Sequence, residues 1–144
     1  MIYTKFTKLA MQICFAAHKD QTDKSQLPYV FHPIHLAEQM QTEETVITAL
    51  LHDVVEDSSY TLQNLRNYGF PETVLEAVSL LTHEKAVPYF SYIANIKQNP
   101  IARAVKLADL KHNSDLSRLD KIRTADLERR QKYLRAIAIL EDKN

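Results

Sequence analysis

Apolar residues recur at the three, four and seven spacing of amphipathic helices along most of the chain. Between Tyr3 and His18, one stripe carries Phe6, Leu9, Ala10, Ile13, Cys14 and Ala17. The following stretch, Lys19 to Leu27 (KDQTDKSQL), is polar and has no period, so it reads as an exposed loop. Pro28 and Pro33 bracket Tyr29 to His32, and proline at a first helical position predicts a short helix from Pro33 to about Met40 with His32 at its entrance. Thr42 caps a central helix whose Val46, Ile47, Leu50, Leu51, Val54 and Val55 form an apolar side broad enough for burial on most faces. This helix is expected to run on through Asp57. Thr61 opens a short helix closed by Gly69, and Pro71 opens another carrying Val74, Leu75, Val78 and Leu81. A helix from about Val87 to Asn99 presents Phe90, Ile93 and Ile96, and Pro100 separates it from IARAVKLADLKHNSDL. A last helix, about 124–142, is expected to pack through Leu127, Leu134, Ile137 and Ala138. The pattern predicts an all-α fold, a single bundle of seven or eight helices in one domain spanning residues 1–144.

Composition narrows the chemistry. Gly69 is the one glycine among 144 residues, which disfavours β-hairpin folds, P-loops and dinucleotide fingerprints, all of which need glycine at positive φ. Lysine plus arginine and aspartate plus glutamate both number 18, so no surplus charge drives bulk nucleic-acid or membrane binding. Cys14 has no partner for an intrachain bridge and sits among apolar neighbours, as expected of a core residue in a reducing cytoplasm. The N-terminal stretch is too polar for a signal or membrane-spanning segment.

The central helix ends in His52, Asp53, Glu56 and Asp57 directly after its hydrophobic run. As one continuous helix, the pairs His52 with Glu56 and Asp53 with Asp57 form two adjacent columns. Three carboxylates in one patch repel one another unless a cation offsets them. A histidine satisfied in the core beside a solvated acidic face is the plain alternative. Further on, Lys106, Asp109 and Asn113 place a cation, a carboxylate and an amide on one face of an otherwise apolar helix.

The segments PYVFHPIHLA, ALLHDVVEDS and VKLADLKHN, in this order, resemble the HD-domain hydrolases of the Rel/SpoT type, including the stand-alone small alarmone hydrolases. The resemblance covers about His18 to Leu119, most of the chain, and leaves no span for a synthetase or regulatory domain. It implies an all-helical enzyme holding one divalent metal, commonly manganese with Fe, Co, Zn or Mg as alternatives, that removes pyrophosphate from the 3′ position of guanosine tetra- or pentaphosphate. On that resemblance, His32, His52, Asp53 and Asp109 are the metal ligands, and Glu56 and Asp57 orient and deprotonate the attacking water. Lys24 and Asn113 correspond to residues near the nucleotide, and Lys106 is placed to meet a phosphate or a carboxylate.

This chain departs from the family pattern in two places. Asp23 stands where the family loop carries arginine, with Gln26 at its glycine, and Asp115 stands where a later basic residue is expected. Both are expected to subtract positive charge where a nucleotide would lie. A nucleoside monophosphate phosphatase and a catalytically idle nucleotide-sensing module are the competing readings. His18 and His112 are expected to support the site, and His35 and His83 to be surface or capping residues. Tyr3, Tyr89, Tyr92 and Tyr133 are expected to pack, and DLERRQKYLR to be a solvated face.

Overall fold

The computed structural model describes residues 1–143. Their helices are α1 (Lys5–His18), α2 (Phe31–Glu38), α3 (Glu43–Leu51), α4 (Val54–Asp57), α5 (Leu62–Asn67), α6 (Glu72–Leu81), α7 (Tyr89–Lys97), α8 (Pro100–Asn113) and α9 (Thr124–Glu141), with a short 3₁₀ turn at Leu116–Arg118. Among the described residues there is no strand, only an isolated bridge between Thr22 and Pro28.

Local chemistry starts these helices. Thr4, Thr42 and Thr61 each accept a hydrogen bond from the amide three residues on, and the side chains of Thr7, Thr45 and Asn64 each accept one from the cap amide. Asn99 caps α8 through the Ala102 amide, with Pro100 in the first turn where its missing N–H costs nothing. α5 ends at Gly69, whose φ of +93° is the left-handed value that closes a helix.

α3 is the hub. Every residue from Val46 to Leu51 is buried, and the helix packs against α1, α2, α6 and α8. The expected stripe of α1 faces this core, with Ala10, Ile13 and Cys14 buried. Burial pushes the Cys14 thiol up to about 12, leaving it an inert packing residue. No helix is long and apolar enough to cross a membrane among the described residues.

Three local expectations change. The central helix does not run unbroken to Asp57: it stops at Leu51, and Asp53, at φ −106° and ψ 0°, begins the separate turn α4. Counting α3 and α4 apart gives nine α-helices among the described residues. α2 begins at Phe31, which places His32 and Pro33 inside its first turn. α9 buries Ala136 and Leu140, while Leu127 and Leu134 lie exposed. Apolar residues occupy two sides of α9, so its spacing did not identify the packed side.

Candidate metal centre and active-site cleft

The break after α3 decides where the site residues point. His52 turns inward and is buried, and its Nδ1 donates to the Ala49 carbonyl at 2.7 Å. That bond leaves Nε2 as the free ring nitrogen. It lies 3.0 Å from Asp53 Oδ2 and 3.7 Å from Asp109 Oδ1, yet makes no hydrogen bond. Asp53 Oδ2 also accepts from the Tyr29 hydroxyl.

α2 and α8 supply the remaining partners. His32 Nε2 is 2.8 Å from Asp109 Oδ1, and His32 Nδ1 is 2.7 Å from His112 Nδ1, with the two rings stacked. A proton between those Nδ1 atoms on the His32 side frees Nε2 as a ligand atom, the usual part of a supporting group. His32, His52 and Asp109 each offer one ligand atom within 4.8 Å of the others, and Asp53, Glu56 and Asp57 form a second such group. The two columns expected from a continuous helix are therefore divided: His52 joins the buried group, and the acids gather around α4.

Lys106 donates to Asp109 Oδ2 at 2.9 Å, and Asn113 Nδ2 to Asp109 Oδ1 at 3.0 Å. Burial would raise the Asp109 carboxyl, but Lys106, His32 and His52 hold it well below the usual range. Burial works against the charge of His52 as well, yet Asp53 and Asp109 outweigh it and raise its pKa. Asp53 shows the same balance in reverse, held at about 2 by His52 against its own burial. Asp57 is pushed up to about 6 by partial burial and by the charges of Asp53 and Glu56.

A buried nitrogen without a hydrogen bond, facing two carboxylates that repel each other, fits a divalent cation held by mixed imidazole and carboxylate ligands. Without an ion, a proton on His52 is the available counter-charge. A His/Asp group able to bind a metal is thus present in the fold.

A cleft opens beside Asp109, lined by Glu56, His83, Tyr89, Tyr92, Lys106 and Lys132. It shares Asn113 and Tyr133 with a second pocket lined by Lys24, Arg118 and Arg129. Lys24 stands apart from the His/Asp group, exposed on the loop and 3.9 Å from Asp126. Asp126, Arg129 and Tyr133 line the second pocket, so one side of DLERRQKYLR is a pocket wall. The one, four, eight spacing of these residues was the signal available in the sequence.

Asp23 does not stand as an unpartnered charge. Its carboxylate accepts from the Ser25 and Leu27 amides at 2.8 and 3.0 Å and pairs with Arg118 at 3.7 Å, so it is spent on its own loop. Gln26, at the family's glycine position, adopts φ +65°. Asp115 likewise caps the 3₁₀ turn through Ser117. His18 supports α4 indirectly: its Nδ1 meets Gln21 Oε1 at 2.8 Å, and Gln21 Nε2 donates to the Asp57 carbonyl. His35 is exposed, with its ring 4.2 Å from that of His112. Tyr29, Gln21 and His83 were not legible as site residues, since each acts through a contact distant in sequence.

No model of a known protein family matches the chain. It is 36% identical over 121 residues to the mouse guanosine-3′,5′-bis(diphosphate) 3′-pyrophosphohydrolase MESH1, covering 72% of this chain and 66% of the relative. It is 32% identical over 127 residues to a protein of the same activity name from Aquifex aeolicus, covering 80% of this chain and 17% of that one. Against the Escherichia coli bifunctional (p)ppGpp synthase/hydrolase SpoT, identity is 36% over 112 residues, 67% of this chain and 16% of SpoT. The chain thus spans about a sixth of these bacterial relatives. A solved metazoan ortholog of SpoT, described as hydrolyzing ppGpp, superposes with a TM-score of 0.81 at 22% identity, covering 100% of this chain and 90% of that one. That likeness establishes the fold.

Proposed function

Because the chain belongs to the HD-domain family of guanosine-3′,5′-bis(diphosphate) 3′-pyrophosphohydrolases, we propose that it hydrolyses the 3′-pyrophosphate ester of a guanosine nucleotide with the help of one divalent metal ion. The observation that carries this reading is His52 Nε2, buried and without a hydrogen bond between the carboxylates of Asp53 and Asp109. The chain acts as one hydrolase unit, with its motifs within 18–119 and α9 walling the cleft. A cytoplasmic setting suits its buried, unpaired Cys14.

His32, His52, Asp53 and Asp109 would hold the ion, with manganese the first candidate and Fe, Co, Zn and Mg compatible with the same ligand types. When bound, such an ion makes water more acidic and offsets charge on phosphoryl oxygens. Glu56 and Asp57 would then orient the water and take its proton. Lys24, Lys106 and Asn113 meet the phosphates, Lys106 from the cleft wall where it is bonded to Asp109. One water is consumed, the bond between the 3′ oxygen and phosphorus breaks, pyrophosphate leaves and the 3′ hydroxyl is restored.

Glu56→Gln tests the division of labour. The amide is nearly the same size but cannot take a proton, so metal content should stay at wild type while turnover falls by about 10² to 10⁴. Loss of the metal with the turnover would instead make Glu56 a ligand.

A further inference from the structure

The segment between α6 and α7 is hydrogen-bonded to the acidic turn α4: the His83 amide donates to Glu56 Oε1 at 2.7 Å. That donor belongs to the backbone, so its position depends on how firmly the segment is held. The His83 side chain holds it twice. Its Nε2 meets the Val87 carbonyl at 2.7 Å, spanning the segment, and its ring stacks on Tyr92 with centroids 4.3 Å apart and planes 18° off parallel. Tyr92 is itself fixed, buried and donating from its hydroxyl to the Leu81 carbonyl at 2.8 Å. Thr82 adds a bond from its hydroxyl to the Val78 carbonyl at the end of α6. Lys106 Nζ also lies over the Tyr92 ring, 5.3 Å from the centroid, while bonded to Asp109.

We propose that His83 is a positioning residue for Glu56: its ring clamps the α6–α7 segment so that the backbone amide fixes one carboxylate oxygen and leaves the other to meet the attacking water. The inference rests on the reading above, in which Glu56 takes the water's proton. A charge-assisted bond to one oxygen fixes the plane of a carboxylate that is otherwise exposed at the cleft edge and free to rotate. Misplacing a reacting group by about 1 Å costs up to about 10²-fold in rate, so the clamp acts on turnover rather than on ground-state binding.

The test compares His83→Ala and His83→Asn, each with Glu56 intact and with Glu56→Gln, measuring bound metal, kcat, KM and melting temperature on the full chain. With Glu56 intact, His83→Ala should keep its metal and lower kcat by about 10- to 10²-fold with KM little changed. His83→Asn, which retains a side-chain donor of smaller reach toward Val87, should recover part of the loss. In the Glu56→Gln background, His83→Ala should change the residual rate by less than about twofold, because the group it positions is gone. An equal loss of kcat in both backgrounds would overturn the proposal, since the role of His83 would then be general to the fold. If His83→Ala does not fold, the same comparison is made with His83→Asn. Full turnover by Glu56→Gln alone would overturn the reading of Glu56 as base, and this proposal with it, and that result is seen without altering His83.

Discussion

Arg118 and Asp23 face each other in the wall of the second pocket, their charged ends 3.7 Å apart, while Arg118 Nη1 also donates to the His112 carbonyl at 3.0 Å. Asp23 therefore ties the 22–28 loop to the segment after α8 instead of presenting free negative charge to a ligand. Removing its carboxylate frees two backbone amides and one guanidinium. Asp23→Ala should lower stability by about 1–3 kcal/mol in urea unfolding, the cost of deserted hydrogen-bonding groups. Asp23→Arg should weaken nucleotide binding along with the loop, and a lower KM in that variant would contradict this account.

Gln26 occupies left-handed backbone, φ +65°, with its amide donating to the Asp23 carbonyl at 3.0 Å. Its side chain is exposed, so little packing is lost on truncation. Gln26→Gly should stabilise the folded form by up to about 1 kcal/mol, because glycine removes the strain of a side chain at positive φ, offset in part by greater freedom of the unfolded chain. Thermal melting reads the sign directly. A lower melting temperature would show that the side chain contributes contacts absent from this account.

His52 and Asp109 reach the centre from α3 and α8, elements far apart in sequence. His52→Ala and Asp109→Asn should each lose the metal, and chelation of wild type should reproduce their lower melting temperature, since an ion bound only by the folded form stabilises it by mass action. Metal content near wild type in either variant would remove these residues from the ligand set.

Asp57 sets a pH dependence in the metal-free protein. Its folded pKa, about 6, lies above its ordinary value of 3.8, so the folded form binds the extra proton between these limits. The contribution of Asp57 to stability is therefore full below pH about 4 and lost as pH rises through about 6. Asp57→Asn should be more stable than wild type at pH 7 and lose that advantage on acidification. Metal addition should narrow the difference at pH 7 by supplying positive charge. An Asn variant that is less stable at pH 7 would contradict the repulsion assigned to Asp53 and Glu56.

The all-α fold was legible because it depends on local signals: the apolar stripe of α1, the threonine caps and the single glycine closing α5. The faces of α8 were legible for the same reason, since Lys106, Asp109 and Asn113 meet at helical spacing. What the sequence concealed depends on distant contacts. The break after α3 divides the two columns that a continuous helix would form, and nothing in ALLHDVVEDS marks it. His83 looked like a surface histidine because neither its amide contact to Glu56, 27 residues away, nor the stacking of its ring on Tyr92 leaves a mark in the sequence. Asp23 looked like a misplaced charge because Arg118, its partner, is 95 residues further along the chain.

The central claim is a metal-dependent hydrolysis at a 3′-pyrophosphate ester. It is tested most directly by incubating manganese-loaded protein with guanosine 3′,5′-bis(diphosphate) and following the products by phosphorus NMR, with a chelated sample alongside. The account predicts inorganic pyrophosphate and guanosine 5′-diphosphate in equal amounts from the loaded protein and neither from the chelated one. Orthophosphate as the product, equal rates in both samples, or an unchanged nucleotide while a nucleoside monophosphate is dephosphorylated would contradict it.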